Sequence, residues 1–445
     1  MATELRTFED ILSDCVHCGF CLPACPTYRS WGNEMDSPRG RIDLMLGLHQ
    51  GKIDLDDAVV EHFDRCLGCM ACVTACPSGV RYDMLIEETR VKVEGEIQRT
   101  PADQAFREMI FALFPRPDRL RALAPLLYFF RKTGLQKLMR TGGVLGRLSK
   151  RVEQLDMLMP PLELSQLVRR LPTFTPARSR RRGTVALIAG CVQRVFFPNV
   201  NASTVRVLAA EGYDVVVPPS QGCCGALSLH AGRADESAAF ARALLDRFVP
   251  ADNPRALAQV DAIIINAAGC GSTLKQYGTL FNGDPKYRER AAAFSVKVRD
   301  VNEFLAGVEP VASRRPAPIR VAYHDACHLA HAQGIREEPR ALLRSIPQLE
   351  LLEIPQGDQC CGSAGVYNLL QPDSAREIGE RKVENILAIA PQMLASANPG
   401  CTLQIRSLLA ERGLDLPAAH PIEILDVAIA AGQGRSRAQA KSAGQ

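Results

Sequence analysis

A chain of 445 residues is too long for one ordinary hydrophobic core, so about two to four domains are expected. Hydrophobic residues at 47% and charged residues at 23% exclude a disordered chain, and no apolar run approaches the length of a membrane-spanning helix. The net charge of +4 is uneven: residues 101–182 hold 17 Lys and Arg against 6 Asp and Glu, an excess of +11, which leaves −7 for the remainder.

Sixteen cysteines are many for a chain of this size. A disulfide scaffold is not expected. Such scaffolds are short and secreted, and the opening MATELRTFEDILSD is charged where a signal peptide has an apolar run. Metal or cluster binding in a reducing compartment fits better. Eight of the cysteines fall in residues 1–100, in two matching motifs: CVHCGFCLPACP at 15–26 and CLGCMACVTACP at 66–77. Both follow C-x2-C-x2-C-x3-C-P, the run associated with 4Fe–4S ligation. Three cysteines at this spacing wrap one cube. The fourth lies too far along the turn, and in two-cluster ferredoxins it ligates the other cube. The spacing therefore assigns Cys15, Cys18, Cys21 and Cys76 to one cluster, and Cys66, Cys69, Cys72 and Cys25 to the other. Two complete motifs, each with its proline, argue against zinc.

Between the motifs, PRGRIDLMLGLHQG and LDDAVVEHFDRC have helical spacing, which predicts a helical two-cluster ferredoxin domain over residues 1–100. His17 and Arg81 stand beside the cysteines, either tuning a potential or serving as ordinary polar neighbours. Arg39 and Arg41 in SPRGRI either set the local field or form a salt bridge at a helix start. Trp31, the single tryptophan, reads as packing.

Residues 101–182 hold no cysteine and read as a basic helical connector, with TPARSRRRG at 175–183 as a linker ahead of a strand. Its segment 116–155 mixes leucine and aromatic faces with Arg and Lys, which suits either an anionic membrane surface or packing on partner subunits. Basic charge alone is no nucleic-acid motif, and no nucleic-acid partner is expected.

Residues 183–317 and 318–432 read as repeats of each other, joined by EPVASRRPAP at 309–318. TVALIAGC, DVVVPPSQGCCG and AIIINAAGCG in the first match IRVAYHDACH, LELLEIPQGDQCCG and MLASANPGC in the second. Each runs strand, cysteine loop, helix, strand, CCG turn, helix, strand, cysteine turn. Short apolar strands alternating with helices predict an α/β domain with a small parallel sheet, used twice. Every cysteine follows a strand, at the sheet edge where open α/β folds bind ligands. Residues 433–445 read as a disordered tail.

The candidate metal ligands are Cys191, Cys223, Cys224 and Cys270 in the first repeat, and Cys327, Cys360, Cys361 and Cys401 in the second. Adjacent cysteines serve one metal only in a turn, and Gly225 and Gly362 supply its permissive backbone. Gly269, Gly271 and Gly400 are expected to do the same around the last ligand. This pattern resembles the cysteine-rich CCG domain of heterodisulfide reductases, whose full motif ends in C-x2-C. Ala267 and Asn398 stand where that family has the first cysteine of the final pair. The resemblance implies a non-cubane cluster on five cysteines, and four per repeat leave other fillings open: an ordinary cube, a single occupied repeat, or zinc on four thiolates. Iron–sulfur in at least one repeat is the expectation. In YHDACHLAH, one of His324, His328 and His331 could donate to a cluster sulfur or pass a proton, and each could equally be a satisfied polar residue. Asp325 reads as orienting its loop, and Tyr277 and Tyr367 as core or surface. No phosphate loop, dinucleotide fingerprint or based nucleophile is visible, so neither flavin nor catalytic residues are expected on this chain.

The layout as a whole resembles the iron–sulfur subunit of bacterial glycolate oxidase over roughly residues 10–430. CVHCGFC, SPRGRI, CPSGVRY, GCCGA, GCGSTLKQYG and CCGSAGVYNL carry the likeness. The resemblance implies an electron-transfer subunit. FAD-binding partner subunits would oxidise glycolate to glyoxylate, and this chain would pass electrons toward quinone from the inner face of the cytoplasmic membrane. A lactate or glycerol-3-phosphate dehydrogenase as partner, and a thiol–disulfide enzyme of heterodisulfide-reductase type, are the alternatives.

Overall fold

A computed structural model of the chain describes residues 6–141, 143–160, 170–250 and 252–430. The tail expected over 433–445 lies outside them.

The N-terminal region is helical, and its sequence shows why. Thr7 caps Phe8–Ser13 in a reciprocal capping box with Asp10. Pro26 opens Pro26–Trp31 directly after Cys25, where its missing N–H costs nothing. Ser37 Oγ accepts from Gly40 N at 3.0 Å to start Pro38–His49, and Asp56 accepts from Val59 N at 2.9 Å to start Asp57–Asp64. Gly40 is required: a Cβ there would lie 1.9 Å from Glu34 O. Ile42, Met45, Phe63, Leu85 and Ile86 form the core of this region, sealed by the helix Tyr82–Glu96.

The connector follows as Pro101–Leu113, Pro117–Lys132, Leu135–Thr141, Val144–Leu148 and Lys150–Met157. Its inner face packs inside the chain: Ile110 and Phe111 against Val366 and Leu369, and Leu120 and Ala124 against Val195. Its outer face exposes Leu126, Phe129, Leu135 and Leu138.

Two small sheets follow. The first has the order β1 (Phe174–Thr175), β3 (Tyr213–Val216), β2 (Gly183–Leu187), β4 (Ala262–Ile265), β5 (Val298–Asp300). The second has the order β7 (Glu350–Glu353), β6 (Arg320–His324), β8 (Met393–Ser396), β9 (Ala418–Ala419). All pairs are parallel except β1 with β3. Apart from β1 the sheets share one order, and Val185 and Val321 hold equivalent registers between their neighbours. The expected repeat is thus a structural one. β1 is an addition: residues 174–175, at the start of the linker, pair with β3 before the basic run.

The repeats share a core. Val185, Leu187, Val207 and Leu305 from the first pack with Val321, Tyr323, Leu343 and Leu425 from the second. Each such fully buried aliphatic side chain contributes about 1.5–3 kcal/mol. Polar contacts seal the seam. Asp426 accepts from Ser203 Oγ at 2.9 Å and Arg206 at 2.5 Å, and Ala268 N donates to Ala397 O at 3.2 Å. Among the described residues no helix is long and apolar enough to cross a membrane.

Candidate metal centres

All sixteen cysteines are free of disulfides. Cys15, Cys18, Cys21 and Cys76 line one small cavity with His17, Arg39 and the edge of Cys72. The loop Cys15–Cys21 turns through His17 and Gly19, both at positive φ (52° and 85°). Cys18 is exposed, flanked by Val16 and Phe20 at 69% and 65% exposure, so this group sits at the protein surface.

Cys25, Cys66, Cys69 and Cys72 are buried and form the neighbouring group. Burial pushes the Cys69 and Cys72 thiols well up, and each feels Cys25 and Cys66 nearby. Cys66 goes the other way. Burial opposes its ionisation, but the guanidinium groups of Arg41 and Arg90 hold it below the usual thiol range. Arg41 is buried, donating to Asp36 O at 2.6 Å and His62 O at 2.6 Å, with Asp36 Oδ1 at 3.3 Å. Of the two arginines in SPRGRI, Arg41 sets the field. Arg39 makes the helix-start salt bridge, to Glu34 at 2.6 Å. Arg81 is taken up by Asp83 at 2.6 Å, and His17 lies 3.5 Å from Asp43. Trp31 packs under Arg65 and donates to Glu377 Oε2 at 3.0 Å.

In the first repeat, Cys191 Sγ lies 3.5 Å from Cys223 Sγ, and hydrogen bonds link Cys223 to Cys224 and Cys224 to Cys270. In the second, the same chain of contacts runs Cys327, Cys360, Cys361, Cys401. The CCG turns are built as their glycines require. Gly225 and Gly362 sit at φ 82° and 86°, and a Cβ would meet Ser237 O at 2.7 Å or Ala375 O at 2.3 Å. Tyr277, buried in the core, donates to Cys224 O at 2.6 Å and fixes the first turn. Gly269, Gly271 and Gly400 do not supply permissive backbone, contrary to expectation. They lie in the helices Ala268–Lys275 and Pro399–Glu411 without positive φ. Two of them are short of space: a Cβ at Gly271 would lie 2.9 Å from Gln333 Nε2, and one at Gly400 2.7 Å from Ser363 Oγ, while one at Gly269 would meet only Asn398 Oδ1 at 3.9 Å.

The three histidines of YHDACHLAH part company. His328 Nε2 donates to Gly68 O at 3.0 Å, and its Nδ1 lies 2.9 Å from Ser272 Oγ. His331 Nε2 donates to Asp358 O at 3.0 Å, with Thr74 and Arg336 at its Nδ1. Both are satisfied polar residues. His324 is buried with neither ring nitrogen partnered, and its nitrogen and the sulfurs of Cys361 and Cys401 lie within 4.8 Å of one another. Asp325 orients its loop, held by Arg340 at 2.8 Å.

The inner ferredoxin group and the cysteines of the second repeat touch. Leu67, Cys69 and Ala71 share a buried cluster with Cys327, Cys360 and Tyr367. Sequence reasoning missed Arg90, which donates to Cys66 O and, at 2.8 Å, to His230 O, tying the ferredoxin region to the first repeat. It also missed Lys382, buried in the helix Pro372–Ala388. A cavity of about 740 Å³ opens beside Cys223, at the carboxyl ends of β2 and β3. Pro117, Leu171, Phe240, Arg119, Arg121 and Arg194 are among its walls.

The donor set suits iron–sulfur clusters. Four groups of four thiols converge, mostly shielded from water, and burial holds Cys69, Cys72 and Cys327 in the neutral thiol form that a bound cation displaces. Comparison with known proteins agrees. Residues 11–80 match a 4Fe–4S dicluster domain, residues 185–275 and 321–406 a cysteine-rich domain, and residues 102–159 the linker region of the glycolate oxidase iron–sulfur subunit. The probable glycolate oxidase iron–sulfur subunit of Bacillus subtilis (strain 168) is 35% identical over 94% of each chain. The chain belongs to the glycolate oxidase iron–sulfur subunit family. The Escherichia coli (strain K12) member is 34% identical over 90% of this chain and 91% of its own length. A hypothetical protein from Helicobacter pylori shares the fold at a TM-score of 0.54 with 9% identity, over 96% of this chain and 77% of its own.

Proposed function

We propose that this chain is the electron-transfer subunit of a glycolate-oxidising complex. Cys15, Cys18, Cys21 and Cys76 would hold an outer 4Fe–4S cluster, and Cys25, Cys66, Cys69 and Cys72 an inner one. Cys191, Cys223, Cys224 and Cys270, and Cys327, Cys360, Cys361 and Cys401, would hold further centres. A cluster bound in such a set supplies one-electron transfer. The observation that carries the reading is the buried contact of Cys69 with Cys327 and Cys360. It brings the ferredoxin region and the second repeat into one continuous row.

The residues around this row hold, space and shield. Arg41 and Arg90 put positive charge beside Cys66, where it favours a more negative, reduced centre. The exposed edge at Val16, Cys18 and Phe20 offers a partner close approach to the outer group. A FAD-binding partner would oxidise glycolate to glyoxylate, and no substrate chemistry is assigned to this chain. The acceptor is a quinone of the cytoplasmic membrane, met at its inner face. The cavity beside Cys223 suits a quinone ring between Pro117, Leu171 and Phe240, with arginine N–H groups facing the ring carbonyls. The exposed Leu126, Phe129, Leu135 and Leu138, set among Arg131, Lys132 and Lys137, suit an anionic leaflet.

Reconstitution tests this. The isolated chain should not oxidise glycolate, and adding it to the FAD-binding subunits should restore electron flow to a quinone analogue. Turnover of glycolate by the isolated chain would sink the assignment. Preference for lactate or glycerol 3-phosphate by the complex would move it to another dehydrogenase.

A further inference from the structure

The two repeats share a backbone but not a lining. Aligned on their cysteines, the second places polar groups at five positions where the first places apolar ones. His324 stands three residues before Cys327, as Ile188 does before Cys191. Ser396, the register partner of His324 across β6 and β8, stands where the first repeat has Ile265. Ser363 replaces Ala226, Lys382 replaces Leu245 and Asn398 replaces Ala267. The first-repeat residues are buried and need no partners. Of those in the second, His324, Lys382 and Asn398 reach the sulfurs. Asn398 Nδ2 donates to Cys401 Sγ at 3.4 Å. The Lys382 ammonium is held by Gln356 O at 3.0 Å and Gly357 O at 2.9 Å, close enough to Cys360 and Cys361 to act on both electrostatically.

What remains unpartnered marks the place of something else. His324 Nδ1 and Nε2, Ser363 Oγ and Ser396 Oγ are all buried without a hydrogen bond. His324 is 1% exposed. A buried imidazole with both nitrogens idle costs on the order of several kcal/mol unless it meets a donor, an acceptor or a metal centre. The ligand atoms of His324, Cys361 and Cys401 all lie within 4.8 Å of one another.

We propose that His324 donates a ring N–H to the sulfurs of the metal centre of the second repeat, and that with Lys382 and Asn398 it makes that centre the more readily reduced of the two repeats. Adding an electron makes a centre more negative. Positive charge and N–H groups at its sulfurs stabilise the reduced form, so the potential rises. Ile188, Leu245 and Ala267 give the first repeat no such help. The inference rests on the reading that the second repeat holds an iron–sulfur centre.

The test uses the full chain, purified without oxygen, with its histidines labelled with 15N. Iron is counted, each reduced centre is assigned by its electron-paramagnetic-resonance signal, and midpoint potentials are titrated in wild type and His324→Ile. The expected result has two parts. The second-repeat signal carries a nitrogen coupling that His324→Ile abolishes and His328→Ala keeps. Its potential falls in His324→Ile toward that of the first repeat, while the other centres hold theirs. Should His324→Ile fail to assemble, the wild-type coupling and a lowered potential in Asn398→Ala decide. Iron in the second repeat without nitrogen coupling, or with an unmoved potential, overturns the inference alone. A second repeat without iron overturns both the inference and the reading beneath it.

Discussion

His328, the residue after Cys327, reaches across to the carbonyl of Gly68, between Cys66 and Cys69, at 3.0 Å. This bond locks the inner ferredoxin group against the second repeat, beside the shared cluster of Cys69, Cys327 and Cys360. The two centres should therefore be magnetically coupled when both are reduced. Substituting Cys360 and Cys361 by serine should remove the broadening of the inner ferredoxin signal. The same change at Cys223 and Cys224 should leave it. Broadening that follows Cys223 and Cys224 instead would mean that the first repeat is the nearer neighbour.

The CCG turns should not tolerate a methyl group. Gly362→Ala forces a left-handed residue, at about 1–2 kcal/mol, and drives its Cβ to 2.3 Å from Ala375 O. Backbone on both sides cannot give way cheaply, so the second repeat should lose its metal. Gly413 has φ 72° with open space around it, and Gly413→Ala should cost only the conformational part. Metal content per chain separates the two variants.

Arg41 should be hard to replace. Its partner Asp36 is fully buried and shared with His62 at 3.0 Å and Arg65 at 3.2 Å. Arg41→Met leaves that carboxylate short of a partner, a loss of about 3–5 kcal/mol for a broken buried pair. It also removes positive charge beside Cys66, so the inner ferredoxin centre should be harder to reduce. Chemical denaturation reads the first effect and a redox titration the second. Arg41→Lys restores charge but not the two-pronged grip, and should recover the potential more than the stability.

Much of this was legible because cysteine spacing and strand periodicity are local properties. CVHCGFCLPACP and CLGCMACVTACP announce their chemistry within twelve residues each, and short apolar strands ending in cysteines announce a repeated parallel sheet. What stayed hidden depends on distant partners. His324, His328 and His331 look alike in YHDACHLAH. Gly68 and Thr74, some 260 residues earlier, satisfy two of them and leave the third idle. Lys382 in ERKVEN carries no local signal, and only the packing of its helix against the CCG turn buries it. Gly269, Gly271 and Gly400 suggested turns, but all three are helical, and the constraint at Gly271 and Gly400 is the closeness of Gln333 and Ser363. The two-residue strands β1 and β9 are too short to leave a periodic signal.

The outer face of the connector should bind anionic vesicles. Leu126 and Leu138 are 67% and 68% exposed, and Phe129 lies on the same helix as Leu126, next to basic residues. Phe129→Glu with Leu138→Glu replaces apolar anchors by like charges to the lipid. Co-sedimentation with phosphatidylglycerol vesicles should fall at least tenfold, and raising salt should weaken the wild type. The inner face, with Leu120 and Ala124, is untouched, so folding should survive. Equal binding by wild type and variant would assign this face to a protein partner instead.

The seam between the repeats should also make the fold acid-sensitive through His420. Its imidazole is buried, its Nδ1 accepts from Ile422 N at 3.1 Å, and its Nε2 has no partner. Burial pulls its pKa down to about 3. The unfolded chain takes up the proton near pH 6.5, so protonation favours unfolding. The contribution of neutral His420 is complete above pH 6.5 and drains away as the pH falls toward 3. At pH 5 the loss is about 2 kcal/mol, from about 1.5 units below the ordinary histidine value. His420→Asn keeps an acceptor for Ile422 N but does not titrate. Urea unfolding at pH 7 and pH 5 should show the wild type losing about 2 kcal/mol more than the variant. Equal losses would place the acid-sensitive group elsewhere, with His328, whose pKa burial also lowers to about 3, as the next to test.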